Sequence, residues 1–255
     1  VEEMQKTYRN LRYCCNEKNI GTEANIHTAM RESRGEYVLV AGDDDYFADG
    51  SLRGVLGRLL QHRGIALFHL RRAHEPHRVY MGSGVAEYVR MVGYHMTWIT
   101  STVMRRDLYA RIQEPQKHDA TRIPQVYLQM EMLKQEPDFA IIAAPFMRMG
   151  SGDHPTAGFS LVKVFIKNYF DLLKTAGEIP PMVLSEEKKR LMEEKIYFEC
   201  ERIKERQLAL SLDGLFDIVR EYYGSEPFYP QVVARLRRIL QGMLCAGSAV
   251  AENSR

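Results

Sequence analysis

The chain has 255 residues, with 35 Lys and Arg against 33 Asp and Glu, a formal charge of +2 and 45% hydrophobic residues. A chain of this length and balance buries a core without staples, which excludes a disordered chain, a collagen-like repeat and a small disulfide scaffold. The near-neutral charge gives no footing for nucleic acid, so no nucleic-acid partner is expected.

Residues 1–158 alternate short β-like runs with helical stretches, and residues 159–255 read as helical, so a division is expected there. Leu11–Cys15 is a short apolar and aromatic run. Asn25–Glu32 carries Ile26, Ala29 and Met30 at helical spacing, and Gly35 stops it. Glu36–Ala41 is a β-rich run ending at Gly42. Ser51–Gln61 is a helix with Leu52, Val55, Leu56, Leu59 and Leu60 on one stripe. Ile65–Leu70 reads as a strand, Val85–Val92 as a helix, Met96–Met104 as a strand, Val126–Leu133 as a helix and Phe139–Ala144 as a strand. This alternation predicts an α/β fold with a mostly parallel sheet flanked by helices. Gly150–Gly158 is the expected boundary loop.

Beyond it, Val162, Phe165, Ile166, Tyr169, Leu172 and Leu173 form one apolar face. A helix is expected to start at Ser185, with Glu186 and Glu187 in its first turn. Further helices cover Gly214–Tyr223 and Val232–Leu244. Arg235, Arg237 and Arg238 beside Leu236, Ile239 and Leu240 make a basic amphipathic stretch suited to peripheral membrane contact. The alternative is a solvated charged face over ordinary packing. Cys14, Cys15, Cys200 and Cys245 contain no CxxC pair, so neither a zinc site nor a disulfide framework is expected. Free thiols point to a reducing, cytoplasmic location, at the inner face of the membrane if the basic stretch meets lipid. No apolar run reaches the ~18 residues of a membrane-spanning helix.

The most informative segment is GEYVLVAGDDDYFADGSL, residues 35–52. A strand runs into Asp43, Asp44 and Asp45, whose carboxylates repel one another unless a cation or donors compensate. In extended chain Asp43 and Asp45 point the same way. Such a pair suits a hard divalent ion, Mn²⁺ or Mg²⁺, that takes its other ligands from a diphosphate. Ligands of open α/β sheets bind beyond the carboxyl ends of strands, where this cluster lies. The alternative is an Asp-rich turn ahead of the Ser51 helix. Upstream, Asn16, Asn19, Gly21 and Asn25 make a tight turn into a helix that Thr22 can cap, and such a helix start can receive phosphate.

Together, residues 10–52 resemble the middle of a family-2 glycosyltransferase with the GT-A fold: N-x-G, an Asn-bearing helix, GEY with an apolar strand, then a DxD-type motif. The looser likeness extends over residues 8–160. It implies a GT-A-like fold, a nucleotide-sugar donor, a saccharide or lipid-linked acceptor of the cell-surface polysaccharide type, a divalent ion and inversion at the sugar carbon. By carry-over Asp45 is the first metal ligand. Asp43 and Asp44 contact the metal or donor, and Asn19, Gly21 and Asn25 lie near the donor diphosphate. TWITSTVMRRDLY (97–109) is similar to the family's acceptor-facing strand, with Arg105 a candidate contact to the anionic donor. His154, next to Asp153, is a candidate further metal ligand.

Two departures from the pattern stand out. The family's opening strands, about 40 residues spanning a βαβ-sized unit, are expected before the point where this chain opens. The acidic pair expected at the start of the helix after the acceptor strand is replaced by Pro124-Gln125. The remaining candidates for the general base are Asp119, Glu131 and His118. Trp98 is expected in core packing or stacked on a sugar. Two other functions compete: a non-catalytic remnant or interaction module, and a nucleotidyltransferase.

Overall fold

A computed structural model describes residues 2–72, 78–149, 158–205 and 210–241. Its strands are β1 (Tyr37–Leu39), β2 (Asp45–Phe47), β3 (Leu67–Arg72), β4 (Arg78–Ser83), β5 (Thr102–Arg105), β6 (Asp138–Ala144) and β7 (Met147–Met149). Five of them form the central sheet in the order β1-β5-β3-β6-β4, and β2 pairs with β7 in a separate ladder. Before the C-terminal region come helices α1 (Glu2–Thr7), α2 (Thr22–Glu32), α3 (Ser51–Gln61), α4 (Val85–Met91), α5 (Arg106–Ala110) and α6 (Pro124–Gln135).

In β3 every residue from Leu67 to Leu70 is buried, because both faces of the sheet are covered. Strand alternation sends Val38, Leu67, Met104 and Ile141 to one face, beneath residues of α2, α4 and α6. It sends Phe68, Leu70, Val103 and Ile142 to the other, where α3 contributes Val55 and Leu59. Leu52, Leu56 and Leu60 of the same helix stay exposed, so the expected five-residue stripe is only partly inward.

The α/β layering is as the sequence implies, but strand direction is mixed. The β3–β6 pair is parallel, whereas β1–β5, β3–β5 and β4–β6 are antiparallel. The residues linking β3 to β4, 73–77, are too few for a crossover helix, so β4 returns opposite to β3. A crossover through α4 then keeps β5 in the direction of β4. The sequence pattern passed over β4, and with it the reversal. The strand expected over Met96–Met104 begins only at Thr102. Before it, Thr97 Oγ1 donates to the Tyr94 carbonyl at 2.7 Å and Ser101 Oγ to the Trp98 carbonyl at 2.6 Å. These bonds fix tight 3₁₀ turns over Gly93–Thr97 and Ile99–Ser101, the usual way hydroxyls compete with strand pairing. Leu11–Cys15 joins no sheet.

In the C-terminal region a π-helical turn, Lys163–Asn168, runs into α7 (Tyr169–Thr175). Helix α8 (Pro181–Leu191) passes through a second π-helical turn, Met192–Ile196, into α9 (Tyr197–Lys204). Helices α10 (Leu215–Tyr223) and α11 (Tyr229–Ile239) follow. The start expected at Ser185 falls earlier because Pro181 occupies the first turn, where its fixed φ suits a helix. One buried cluster extends from Met30 and Leu67 through Leu128 to Leu172, Tyr223 and Leu236, so the helical region shares the core of the sheet. Leu236, Ile239 and Leu240 are buried in it, and the Arg235 guanidinium lies 4.1 Å over the Tyr197 ring. That apolar face is used inside the fold. No helix among the described residues is long and apolar enough to cross a membrane. The end of the helix expected to Leu244 lies outside the described residues, as does most of the expected boundary loop.

A buried carboxylate fastens the helical region to the rest. Glu187 has no exposed surface. It accepts from the Tyr94 backbone N–H at 2.6 Å, the Tyr169 hydroxyl at 2.9 Å and Arg190 Nε at 2.7 Å. Arg190 also donates to the carbonyls of Val89 and Arg90. Burial raises the Glu187 pKa above the usual range, against the pull of the Arg190 charge. Gly93 sits over this pair with φ +57°, and a side chain there would collide with Glu187 and Arg190. Glu187→Ala strands the guanidinium, and loss of one partner from a buried pair costs about 3–5 kcal/mol. The expected result is a much lower urea midpoint; an unchanged midpoint would show that the pair does not hold the two parts together.

Candidate functional site

The acidic cluster sits where β1 leaves the sheet. Asp45 N–H donates to the Gly42 carbonyl at 3.3 Å, closing a turn with Asp43 and Asp44 at its corners. The extended chain expected through Asp43 and Asp45 is therefore corrected to a turn. A turn splays adjacent like charges, and Asp favours such positions. Asp43 is exposed, and Asp44 and Asp45 are half-buried. Pairing of β2 with β7 pins the far side of the turn, with Met149 opposite Asp45. The Ala48 N–H and Ser51 Oγ both donate to the Phe146 carbonyl at 2.9 Å.

Asp45 is anchored by two side-chain donors. Its Oδ2 accepts from the Trp98 indole N–H at 3.0 Å and from Thr100 Oγ1 at 2.6 Å. Thr100 Oγ1 in turn accepts from the Gly42 N–H at 2.9 Å. The Trp98 ring packs against the apolar cluster on the α3 side of the sheet, so core packing is its structural role and its N–H faces the acid.

Beside the turn lies a cleft of about 670 Å³ lined by Asn19, Gly21, Asn25 and Asp43, with Ile26 and Val40 among its apolar walls and Cys14 and Cys15 also lining it. Asn19 Oδ1 accepts from the Gly21 N–H at 2.9 Å, an Asx turn. Gly21, not Thr22, is the residue capping α2, and no side-chain cap bond is made there. Asn16 Nδ2 donates to Asn25 Oδ1 at 3.2 Å. The N-terminal turn of α2 therefore opens onto the cleft, a setting that favours an anion.

The structure thus groups Asn19, Gly21, Asn25 and Asp43, with Asp44 and Asp45 in the adjoining turn. It separates the others. Arg105 pairs with Glu136 at 2.7 Å and Asp107 at 2.7 Å, and its neighbour in the ladder is Tyr37, at the start of β1. Because β5 runs antiparallel to β1, Arg105 lies at the opposite end of the strand from the acidic turn. The donor contact expected of it is corrected to a structural ion pair. Asp119 accepts from His27 Nε2 at 2.8 Å, while His27 Nδ1 lies 3.0 Å from the Tyr109 hydroxyl. His27 is two positions beyond Asn25 on α2 and so on another face. Glu131 pairs with Lys134 at 2.6 Å. His118 packs edge-on to Tyr127, and its pKa is lowered by burial and then by Lys117. None of these three base candidates lines the cleft. Gln125, at the position expected for an acid, is buried. Its amide N–H₂ donates to the Thr97 carbonyl and its Oε1 has no partner.

Asp153 and His154 lie outside the described residues. Among the described residues no group of three or more His, Cys, Asp or Glu could hold a metal ion. Sequence reasoning missed the roles of Thr100 and of the Trp98 N–H, which sit in a run that reads as plain strand, and the His27 bridge, which carries no motif.

Residues 1–121 match the family model described as Glycosyl transferase family 2. That stretch is just under half of the chain and contains the cleft, the acidic turn, Trp98 and Thr100. No curated protein matches the chain.

Two glycines give opposite predictions. Gly21 has φ 84° and ψ 161°, a conformation open almost only to glycine, at about 1–3 kcal/mol of strain for other residues. An added Cβ would meet nothing closer than Glu23 at 3.7 Å, so the penalty is backbone strain alone. Gly57 lies inside α3 with open space around it, and Ala there gains about 1 kcal/mol of helix propensity. Thermal unfolding is expected to show Gly21→Ala below the unaltered chain and Gly57→Ala above it.

Proposed function

We propose that this chain is an inverting, metal-dependent glycosyltransferase that moves a sugar from a nucleotide-sugar donor to a saccharide or lipid-linked acceptor, in cell-surface polysaccharide assembly. The observation that carries the reading is the grouping of Asn19, Gly21, Asn25 and Asp43 around one cleft beside the acidic turn. The family match over the same residues supports it.

In this reading the N-terminal turn of α2 and the amides around Asn25 receive the donor diphosphate. Asp45 and Asp43 would hold Mn²⁺ or Mg²⁺. Asp45 fits such an ion: hard cations bound with substrate phosphates use as few as one or two carboxylates, and the hydrogen bonds to Asp45 converge on Oδ2. The bound ion supplies charge neutralisation for the leaving diphosphate. Single displacement also needs a base on the acceptor hydroxyl.

A second reading, a donor-binding module without turnover, is favoured by one observation. Gln125 stands where an acidic base is expected, and Asp119 and Glu131 are engaged elsewhere.

Calorimetric titration with UDP, with and without Mn²⁺ and then with other nucleoside diphosphates, tests both readings. Mn²⁺-dependent binding that is lost in Asp45→Ala is expected. Absence of binding to every nucleotide would reject the glycosyltransferase reading. Binding of a nucleotide sugar with neither transfer nor hydrolysis would select the second reading.

A further inference from the structure

Asp45 enters a network that crosses between two segments far apart in sequence. The Gly42 N–H donates to Thr100 Oγ1, Thr100 donates to Asp45 Oδ2, and the Trp98 indole N–H donates to the same oxygen. Both side chains come from the tight turns before β5, and the acid comes from the turn after β1. Two donors on one oxygen fix both the rotamer and the roll of the carboxylate. They leave Oδ1 outside this network. Chained hydrogen bonds of this kind polarise one another.

We propose that Trp98 and Thr100 are positioning residues that hold Asp45 in the orientation needed to take a divalent cation with a nucleoside diphosphate. This inference rests on the glycosyltransferase reading and extends it to residues that touch neither ion nor donor. The bland reading of both is core packing. The Trp98 ring does pack on the cluster around Val103 and Phe68, but packing does not require its N–H to meet Asp45. Thr100 is fully buried, and its hydroxyl is bonded on both sides within this network. Groups that orient a metal-binding carboxylate typically contribute 10–100-fold to metal affinity.

Three substitutions separate positioning from packing. Trp98→Phe keeps an aromatic ring and removes the N–H. Thr100→Val keeps the shape and removes the hydroxyl. Thr100→Ser keeps the hydroxyl and removes a methyl. Each is titrated calorimetrically with UDP and Mn²⁺, and with the nucleoside diphosphate that binds best, beside a thermal unfolding scan. In chains that retain it, Trp98 is the sole tryptophan, so its emission reports on this site alone. Mn²⁺ with nucleotide is expected to quench Trp98 emission saturably in the unaltered chain, with the same midpoint as the calorimetry. About 10–100-fold weaker binding is expected in Trp98→Phe and Thr100→Val, with recovery in Thr100→Ser. Unaltered affinity in Trp98→Phe and Thr100→Val overturns the positioning role and leaves the glycosyltransferase reading standing. Equal weakening in Thr100→Val and Thr100→Ser, tracking a loss of thermal stability, also overturns it, in favour of packing. Absence of nucleotide binding in the unaltered chain overturns both.

Discussion

The burial of one carboxylate constrains more of this molecule than its position suggests. Glu187 belongs to the helical region, yet one of its hydrogen bonds is to the Tyr94 amide, on the sheet side. Tyr94 lies in the first of the tight turns that end at Ser101, and Trp98 and Thr100 belong to the same run. A charge sealed from water must find its partners in place, because leaving it unpaired is so costly. The backbone around Tyr94 is therefore not free to drift. Gly93 is required at the same spot because a side chain would occupy the space taken by Glu187 and Arg190. From Glu187 a hydrogen bond reaches Tyr94, the backbone of the tight turn leads on to Trp98, and a second hydrogen bond reaches Asp45.

Much of the layering was legible. Alternation of apolar runs with helical spacing identified Ser51–Gln61 to the residue, and β6 and α6 within a few positions. The GEY run, the acids and the N-x-G turn pointed to one site, and Asn19, Gly21, Asn25 and Asp43 do share a cleft. What failed to read was mostly non-local. Strand direction depends on how many residues separate β3 from β4, and RVYMGS on the open edge lacks a buried pattern to announce it. Arg105 looked like an anion contact until its strand proved antiparallel to β1. The Thr97 and Ser101 hydroxyls turned an apparently extended run into 3₁₀ turns through bonds that no periodicity encodes.

Resemblance and geometry answer different questions at this site. The resemblance concerns chemistry, and it places acids at the end of β1. The geometry ranks those acids: Asp45 is held by two donors, while Asp43 is exposed at the corner of a turn. Asp119 gains a buried histidine as partner and is drawn to another face of α2, so its role in the fold is that of a strut between α2 and the loop after α5. Gln125 keeps a buried acceptor without a donor, a rare condition in folded chains.

The Tyr94–Glu187 bond also sets an order of events during synthesis. Its two ends are 93 residues apart. Chains are made at about 5–20 residues per second, so Glu187 emerges on the order of 5–20 seconds after Tyr94. Every residue of the cleft and of the Asp45 network has left the ribosome by then. The nascent site therefore spends that interval with its supporting turns unfastened and the later helices not yet present to cover one face of the sheet. For this chain the turns beside the cleft donate a hydrogen bond to a helix that does not line it.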